Sequence, residues 1–317
     1  VAADAFAART DRHRRELHVH CYRMLGSFEE AEDAVQDTMM RAWRARERFD
    51  ESAGAGLRAW LYRIATNACL DAIKRRGRRA APSDSFAEIP WLQPYPDRLL
   101  DELADPAEGP DAVVVARETI ELAYLAVVQL LPPRQRAVLL LRDVLEWPAA
   151  DTAAALEISV AAANSALQRA RATLEAHSAD RFAADAGAAA ETSEREQAVL
   201  RAFIDTHERG DAEAALAIVR EDIRVTMPPH PYRFDGLEAI AGLMRDAFED
   251  PQLAAWRLVP AWANRQPAAV SYLRREGDTA FRVFKVDVLR VQDGLIREIT
   301  TFDGRLIAAF GLPEVLP

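Results

Sequence analysis

LLPPRQRAVLLLRDVLEWPAADTAAALEISVAAANSALQRARATLEAH, residues 130–177, is the stretch whose reading decides the fold. Pro132-Pro133 can open a helix because the missing N–H falls where no helical partner exists, and RQRAVLLLRDVLE then runs as that helix. A short Ala-rich helix from Ala149, a turn at Glu157-Ile158-Ser159 and a last helix to Ala176 complete a helix-turn-helix spacing. In the last helix Ala163, Leu167, Ala170 and Leu174 fall within about 60° of one another at 100° per residue, which makes a buried stripe. The opposite face carries Ala161, Ser165, Gln168, Arg169 and Ala172, with Asn164 and Arg171 on its flanks. Hydrogen-bonding and cationic groups beside small alanines suit a helix that enters the major groove. A solvated helix also turns polar residues outward, so this face alone leaves DNA binding and plain solvation both open.

Upstream, residues 11–79 read as helices, with apolar positions at Leu17, Cys21, Leu25, then Ala31, Val35, Ala42, Trp43, then Leu57, Trp60, Leu61, Ile64, Ala68, Ile73. Ser27 and Glu30 form a capping-box pattern. Lys74, Arg75, Arg76, Arg78 and Arg79 crowd the end of a helix that bears Trp60, Tyr62, Arg63 and Asn67; phosphates suit such a terminus, and aromatics beside cations can hold an unstacked base. Trp60 as plain core is the alternative. His13, His18, His20 and Cys21 invite a zinc reading, but their spacing spreads them around one helix, unlike an i, i+4 pair.

Between the two helical blocks lies APSDSFAEIPWLQPYPDRLLDELADPAEGPDA, rich in Pro and acid, which reads as a linker over 81–112. Its Trp91, Leu92, Tyr95 and Leu99 predict that part of it docks on protein. Residues 178–193 read as a second, Ala/Asp-rich linker. From 194 to 317, helices over 195–221 precede strand-like runs, IRVTMP, AVSYLRR, TAFRVFKVDVLRVQ and LIREITTF, which argues for an α+β unit. Gln292-Asp293-Gly294 is a hairpin turn signal between the last two long strands.

The composition sets limits. The chain of 317 residues carries a net charge of −10, which argues against indiscriminate nucleic-acid binding. Residues 1–80 hold sixteen Lys and Arg against twelve Asp and Glu, the one basic block; residues 118–177 hold five against seven. The helix-turn-helix therefore needs a partner for affinity, as a subunit would. Cys21 and Cys69, the only cysteines, read as reduced, buried thiols. No run of about 20 apolar residues is present and the N-terminus lacks a signal-peptide segment, so the expectation is a cytoplasmic protein with no membrane partner.

DAVQDTMMRAWR, RAWLYRIATNACLDAIKRR and LLPPRQRAVLLLRDVLEW…SVAAANSALQRARATL, in this order and spacing, resemble regions two and four of extracytoplasmic-function sigma factors. The resemblance covers about residues 10–177. It implies a multidomain chain: an all-α region 2 bundle (1–80), a linker, and an all-α region 4 helix-turn-helix domain (113–177). It implies that core RNA polymerase, through its β′ clamp and β flap, and promoter DNA are the partners. By the matching motifs Asp33, Gln36, Asp37, Arg41 and Trp43 contact the polymerase. Trp60, Arg63, Asn67, Asp71, Lys74 and Arg75 meet the −10 element, and Asn164, Ser165, Gln168, Arg169 and Arg171 meet the −35 element. Glu157 stands where many relatives have glycine, which puts the placement of the recognition helix in doubt.

AVLRAFIDTHERGDAEAALAIVREDIRVTMPP and FKVDVLRVQDGLIREITTFD resemble the SnoaL-like branch of the nuclear-transport-factor-2-like fold, an α+β cone over 194–317. Phe203, Met227, Trp262, Tyr272, Phe284 and Phe302 are expected either to line a pocket for a small apolar ligand or to fill the core. Met227 stands where catalytic relatives place a base and cannot take a proton. His207, Asp205, Asp222 and His230 are candidate acids or bases on helices and turns, where solvated or capping roles are commoner. The expectation is no catalytic residue, no cofactor and no metal, with the third domain regulating the first two in cis. The alternatives are a SnoaL-like enzyme tethered to a DNA-binding module and a conventional dimeric helix-turn-helix regulator, which leaves the first block unexplained.

Overall fold

Gly26 and Ser27 make the first corner of the helical part. Ser27 accepts from the backbone N–H of Glu30 at 3.2 Å, the cap that the Ser27/Glu30 spacing predicts. Gly26 ends the preceding helix at φ 72°, and a Cβ there would lie 3.0 Å from the Gln129 side chain. Both the left-handed backbone and the close approach favour glycine. The computed structural model describes residues 2–49, 56–77, 89–101, 119–178, 189–250 and 255–317. Arg78, Arg79 and most of both expected linkers lie outside these residues.

The chain divides into two units, residues 1–83 with 99–182 and residues 84–98 with 183–317. In the first, α1 (Ala2–Asp11), α2 (Arg14–Leu25), α3 (Phe28–Ala45) and α4 (Leu57–Arg76) form the upstream bundle. A short α5 (Asp97–Asp101) lies at the boundary between the units. Then α6 (Leu122–Leu130), α7 (Pro133–Leu139), α8 (Ala149–Leu156) and α9 (Val160–Ser178) form the helix-turn-helix part. The bundle core is the apolar stripe read from the sequence: Leu17, Cys21, Leu25, Ala31, Val35 and Ala68 are all buried. Cys21 and Cys69 are free thiols in this core, and burial pushes the Cys69 thiol up, which keeps it an unreactive thiol.

The bundle and the helix-turn-helix part pack on each other through a polar key. Arg136 of α7, 5% exposed, donates to the Met24 carbonyl at 2.5 Å and to Gln129 Oε1 at 2.6 Å. It also donates to the carbonyls of Gln129 at 2.7 Å and Leu131 at 3.2 Å. Gln129 returns a bond to the Arg23 carbonyl, and Arg23 reaches Thr119.

Two buried histidines make this unit sensitive to acid. Burial lowers His18 to about 4 and His20 to about 3, and Thr66, which donates to the Tyr62 carbonyl, accepts from His20 Nε2. Both groups are neutral when folded and take protons near pH 6.5 when unfolded. Their contribution is therefore complete above pH 6.5 and is lost as pH falls through about 4 and 3. We expect a fall of about 2–3 kcal/mol per histidine at pH 4 relative to pH 7. Urea unfolding at both pH values checks this, with His20→Gln expected to remove part of the pH dependence; an unchanged dependence would refute it.

In the second unit α10 (Ala189–Arg209) and α11 (Ala212–Ala217) precede β1 (Val219–Thr226), β2 (Arg233–Asp235) and α12 (Gly236–Glu249). Strands β3 (Ala255–Ala263), β4 (Gln266–Arg274), β5 (Phe281–Gln292), β6 (Leu295–Asp303) and β7 (Val315–Leu316) complete the sheet. Its order is β2-β1-β6-β5-β4-β3, with β7 on the start of β5 and β1 parallel to β6. Helical structure ends before 221 because Val219 pairs with Ile296, which turns the segment into strand. The hairpin at 292–294 forms, with Asp293 and Gly294 at positive φ.

Strand β3 is absent from the sequence reading because Pro260 interrupts it. The structure accommodates the proline on an edge strand, which pairs with β4 along its length and bridges to Pro96 only at Ala263. Phe203, Ile240, Met244, Leu258, Leu289 and Ile299 bring α10 and α12 onto one face of the sheet.

Candidate nucleic-acid interface and C-terminal cavity

On α9 the buried positions are Ala163, Ala166, Leu167 and Ala170, with Leu174 half-buried. Asn164, Ser165, Gln168, Arg169 and Arg171 are exposed together with the small Ala161 and Ala172. The Arg171 guanidinium holds Asp143 in a bidentate pair at 2.7 and 2.9 Å. That pair ties α9 to the π-helical turn after α7. Glu157 does occupy the left-handed region, at φ 54° and ψ 46°, and still closes the turn by donating its N–H toward α8. The turn before α9 thus forms without glycine, in a backbone conformation unusual for a non-glycine residue.

Trp60, Arg63, Asn67, Asp71, Lys74 and Arg75 lie within about 120° of arc on α4 at 100° per residue. Arg63, Asp71, Lys74 and Arg75 are exposed, and Trp60 is half-buried against Phe49, 5.0 Å away, and Phe6. Toward its middle this face meets the helix-turn-helix: Asn67 Nδ2 reaches the Ala155 carbonyl at 3.5 Å and Arg63 lies 3.7 Å from Glu157. Tyr62 also packs edge-on to Trp147.

Asp33, Gln36 and Trp43 are exposed on α3, with Met40 beside them at 47% exposure. Met40 escaped the sequence reading, although its spacing from Gln36 and Trp43 on one helical face was available. Arg41 pairs with Asp37 at 2.8 Å and with Asp71 of α4 at 2.8 Å, so the α3 face and the α4 face are joined by one guanidinium. The pairing raises Arg41 further above its ordinary value despite burial.

In the second unit a cavity of about 450 Å³, counted to its solvent-open mouth, lies between α10, α12 and the sheet. Of the six residues expected to line it, Phe203 and Met227 do. Trp262, Tyr272, Phe284 and Phe302 do not. Strand alternation is the reason for Phe302: Asp287 and Thr301 pair across β5 and β6 and face the cavity, which turns their neighbours Val286 and Phe302 to the other side. Tyr272 is buried away from the cavity and donates to the Pro313 carbonyl. Phe284 is exposed beside Trp256.

The polar end of the cavity was missed. Asp287, fully buried, accepts from Thr301 Oγ1 at 2.7 Å and pairs with Lys285 Nζ at 2.9 Å. The signal was a charged pair of opposite sign at i, i+2, and so on one face, between Phe284, Val286 and Val288. His207 is neither solvated nor a cap: it is 6% exposed, lines the cavity, and donates Nδ1–H to the Phe203 carbonyl at 2.8 Å. Burial, with Lys285 nearby, lowers it to about 4. Asp205 pairs with Arg209, the Arg220 hydrogen bond holds Asp222 below its ordinary value, and His230 stacks on Tyr232, all away from the cavity. Among the described residues no cluster of His, Cys, Asp and Glu fits a metal ion, His13, His18, His20 and Cys21 included, and no helix is long and apolar enough to cross a membrane.

The segment ahead of α5 belongs to this unit. Ile89, Leu92 and Tyr95 are buried. The Tyr95 N–H donates to Asn264 Oδ1 at 2.8 Å, and the Asn264 N–H returns to the Tyr95 carbonyl at 2.9 Å. Asp97 accepts from the Arg265 N–H at 2.8 Å, and Arg98 donates to the Ala309 carbonyl at 2.7 Å.

Comparison with known proteins finds three matched families: Sigma-70 region 2 over residues 10–79, Sigma-70 region 4 over 121–174, and a SnoaL-like domain over 200–299. The chain is 39% identical to the ECF RNA polymerase sigma factor SigG of Mycobacterium tuberculosis, over 98% of this chain and 85% of that one. It is 29% identical to SigW of Bacillus subtilis over 54% of its own length and 87% of SigW. Its fold is similar to the crystal structure of the M. tuberculosis sigma factor SigJ, with a TM-score of 0.60 and 21% identity over 97% of this chain and 99% of that one.

Proposed function

The chain belongs to the extracytoplasmic-function family of RNA polymerase sigma factors, and from that premise we propose how its parts divide the work of promoter recognition. The protein binds core RNA polymerase and promoter DNA and directs initiation. The α3 face of Asp33, Gln36, Asp37, Arg41 and Trp43 takes the polymerase clamp. The α4 stripe of Trp60, Arg63, Asn67, Asp71, Lys74 and Arg75 meets the opened −10 element in the cytoplasm. Asn164, Ser165, Gln168 and Arg169 read the −35 element in the major groove, and Arg171 positions their helix through Asp143.

The observation that carries the division is the exposed polar face of α9 over a fully apolar buried stripe. Because Arg63 and Asn67 touch Glu157 and Ala155, reading the −10 element requires the helix-turn-helix part to leave α4. The C-terminal domain controls that step in cis. Its handle is the stretch 89–98, which it grips through Asn264, Arg265 and Ala309. That stretch lies between the two DNA-reading parts, so holding it alters how far they separate. A ligand of the C-terminal cavity shifts the balance only by binding the two arrangements unequally.

Run-off transcription with core polymerase tests this, comparing the full chain with a chain ended after His177. Specific initiation by both, with different yields, is expected. Equal yields would remove the control in cis, and no specific initiation by either folded protein would remove the division of labour. A tethered enzyme is the second reading, motivated by Asp287 in the cavity; its carboxylate is already held by Lys285 and Thr301.

A further inference from the structure

The cavity of the C-terminal domain has one polar end, and its charges cancel. Lys285 and Asp287 form a pair at 2.9 Å, and His207 lines the same space with Nδ1–H committed to the Phe203 carbonyl, which leaves Nε2 as an acceptor. Trp256 Nε1, a donor, is buried at the wall with no hydrogen-bond partner. Elsewhere the walls are aliphatic and aromatic, among them Ile240, Met244 and Phe248. An unused donor, an acceptor and a neutral ion pair at one end of a largely apolar, solvent-open pocket make a built recognition site.

We propose that this cavity binds an uncharged, largely apolar molecule bearing a hydroxyl group, with that hydroxyl placed among Trp256, His207 and the Lys285–Asp287 pair. The proposal rests on the reading above, in which the domain exerts control in cis, and it names the chemistry of the signal. A hydroxyl can both accept from Trp256 Nε1–H and donate to His207 Nε2 or to Asp287. A carboxylate would have to draw Lys285 away and leave Asp287 buried and unpaired. An amine would compete with Lys285 for Asp287. Either exchange costs more than it returns, because Asp287 is fully buried.

The selectivity is tested on the full chain by calorimetric titration with four probes of one shape: 2-naphthol, naphthalene, 2-naphthoate and 2-naphthylmethylamine. We expect 2-naphthol to bind, naphthalene about tenfold more weakly for want of hydrogen bonds to charged groups, and the anion and cation about a hundredfold more weakly. Asp287→Asn leaves Lys285 unpaired and should invert the order in favour of 2-naphthoate. If that variant does not fold, Lys285→Met should shift preference toward 2-naphthylmethylamine. Equal affinity for all four probes, binding of none of them up to their solubility, or unchanged order in both folded variants would overturn the proposal. Selective binding of 2-naphthol without any change in run-off transcription by the full chain would uphold the site and instead refute control through a ligand.

Discussion

Replacing Arg136 with methionine is expected to destabilise the first unit by about 3–5 kcal/mol, because several buried acceptors lose their donor at about 1–3 kcal/mol each. Four acceptors lose a donor: the carbonyls of Met24, Gln129 and Leu131 and the amide oxygen of Gln129. All lie where water reaches poorly, since Arg136 is 5% and Gln129 1% exposed. A buried carbonyl without a donor carries its full desolvation cost, which methionine packing does not offset. Lysine would place a charge there but lacks the planar fork that meets several acceptors at once, so Arg136→Lys should recover less than half of the loss. Urea unfolding of the full chain checks both variants, and a loss below 1 kcal/mol for methionine would show that the key is not what joins α7 to α2. Because Arg136 spans the two DNA-reading parts, the variant should also release α4 and raise the dependence of initiation on temperature.

The double substitution Gln168→Ala with Arg169→Ala is expected to lower specific initiation by about a hundredfold or more, from about 1–3 kcal/mol of base discrimination at each position. Both side chains are exposed on α9 and neither is needed for the buried stripe of Ala163, Leu167 and Ala170, so the fold should survive. Arg171→Ala should behave differently. Its guanidinium is engaged by Asp143, and its loss loosens the seat of α9, lowering yield by a few-fold and equally at all promoters. Run-off yields on a set of promoters with single −35 changes separate the two outcomes. If Arg171→Ala changed promoter preference and the double variant did not, the assignment of roles along α9 would be reversed.

Part of the candidate site was legible because helices expose it by simple periodicity. The arc from Trp60 to Arg75 on α4 and the split of α9 into an alanine-leucine stripe and a polar face follow from 100° per residue. The cavity was not legible in the same way. In β4, β5 and β6 large apolar residues stand on both faces, so alternation alone does not say which face meets α10 and α12, and Tyr272 and Phe302 lie on the side of the sheet away from the cavity. The lysine and aspartate at 285 and 287 were visible in the sequence; that Thr301 stands opposite Asp287 is a matter of strand register.

The sequence by itself determined the order of the parts, the cap at Ser27, the Pro133 start of α7, the helix-turn-helix and the hairpin at Asp293-Gly294, because each of these depends on neighbours within a few residues. Only the tertiary structure decided that Arg136 joins α7 to α2, that Arg171 is held by Asp143, that Tyr95 and Asp97 dock on Asn264 and Arg265, and that His207 and Asp287 share one cavity. Those contacts join residues far apart in the chain. Their partners are chosen by which buried polar groups still need a hydrogen bond once the helices and strands have packed.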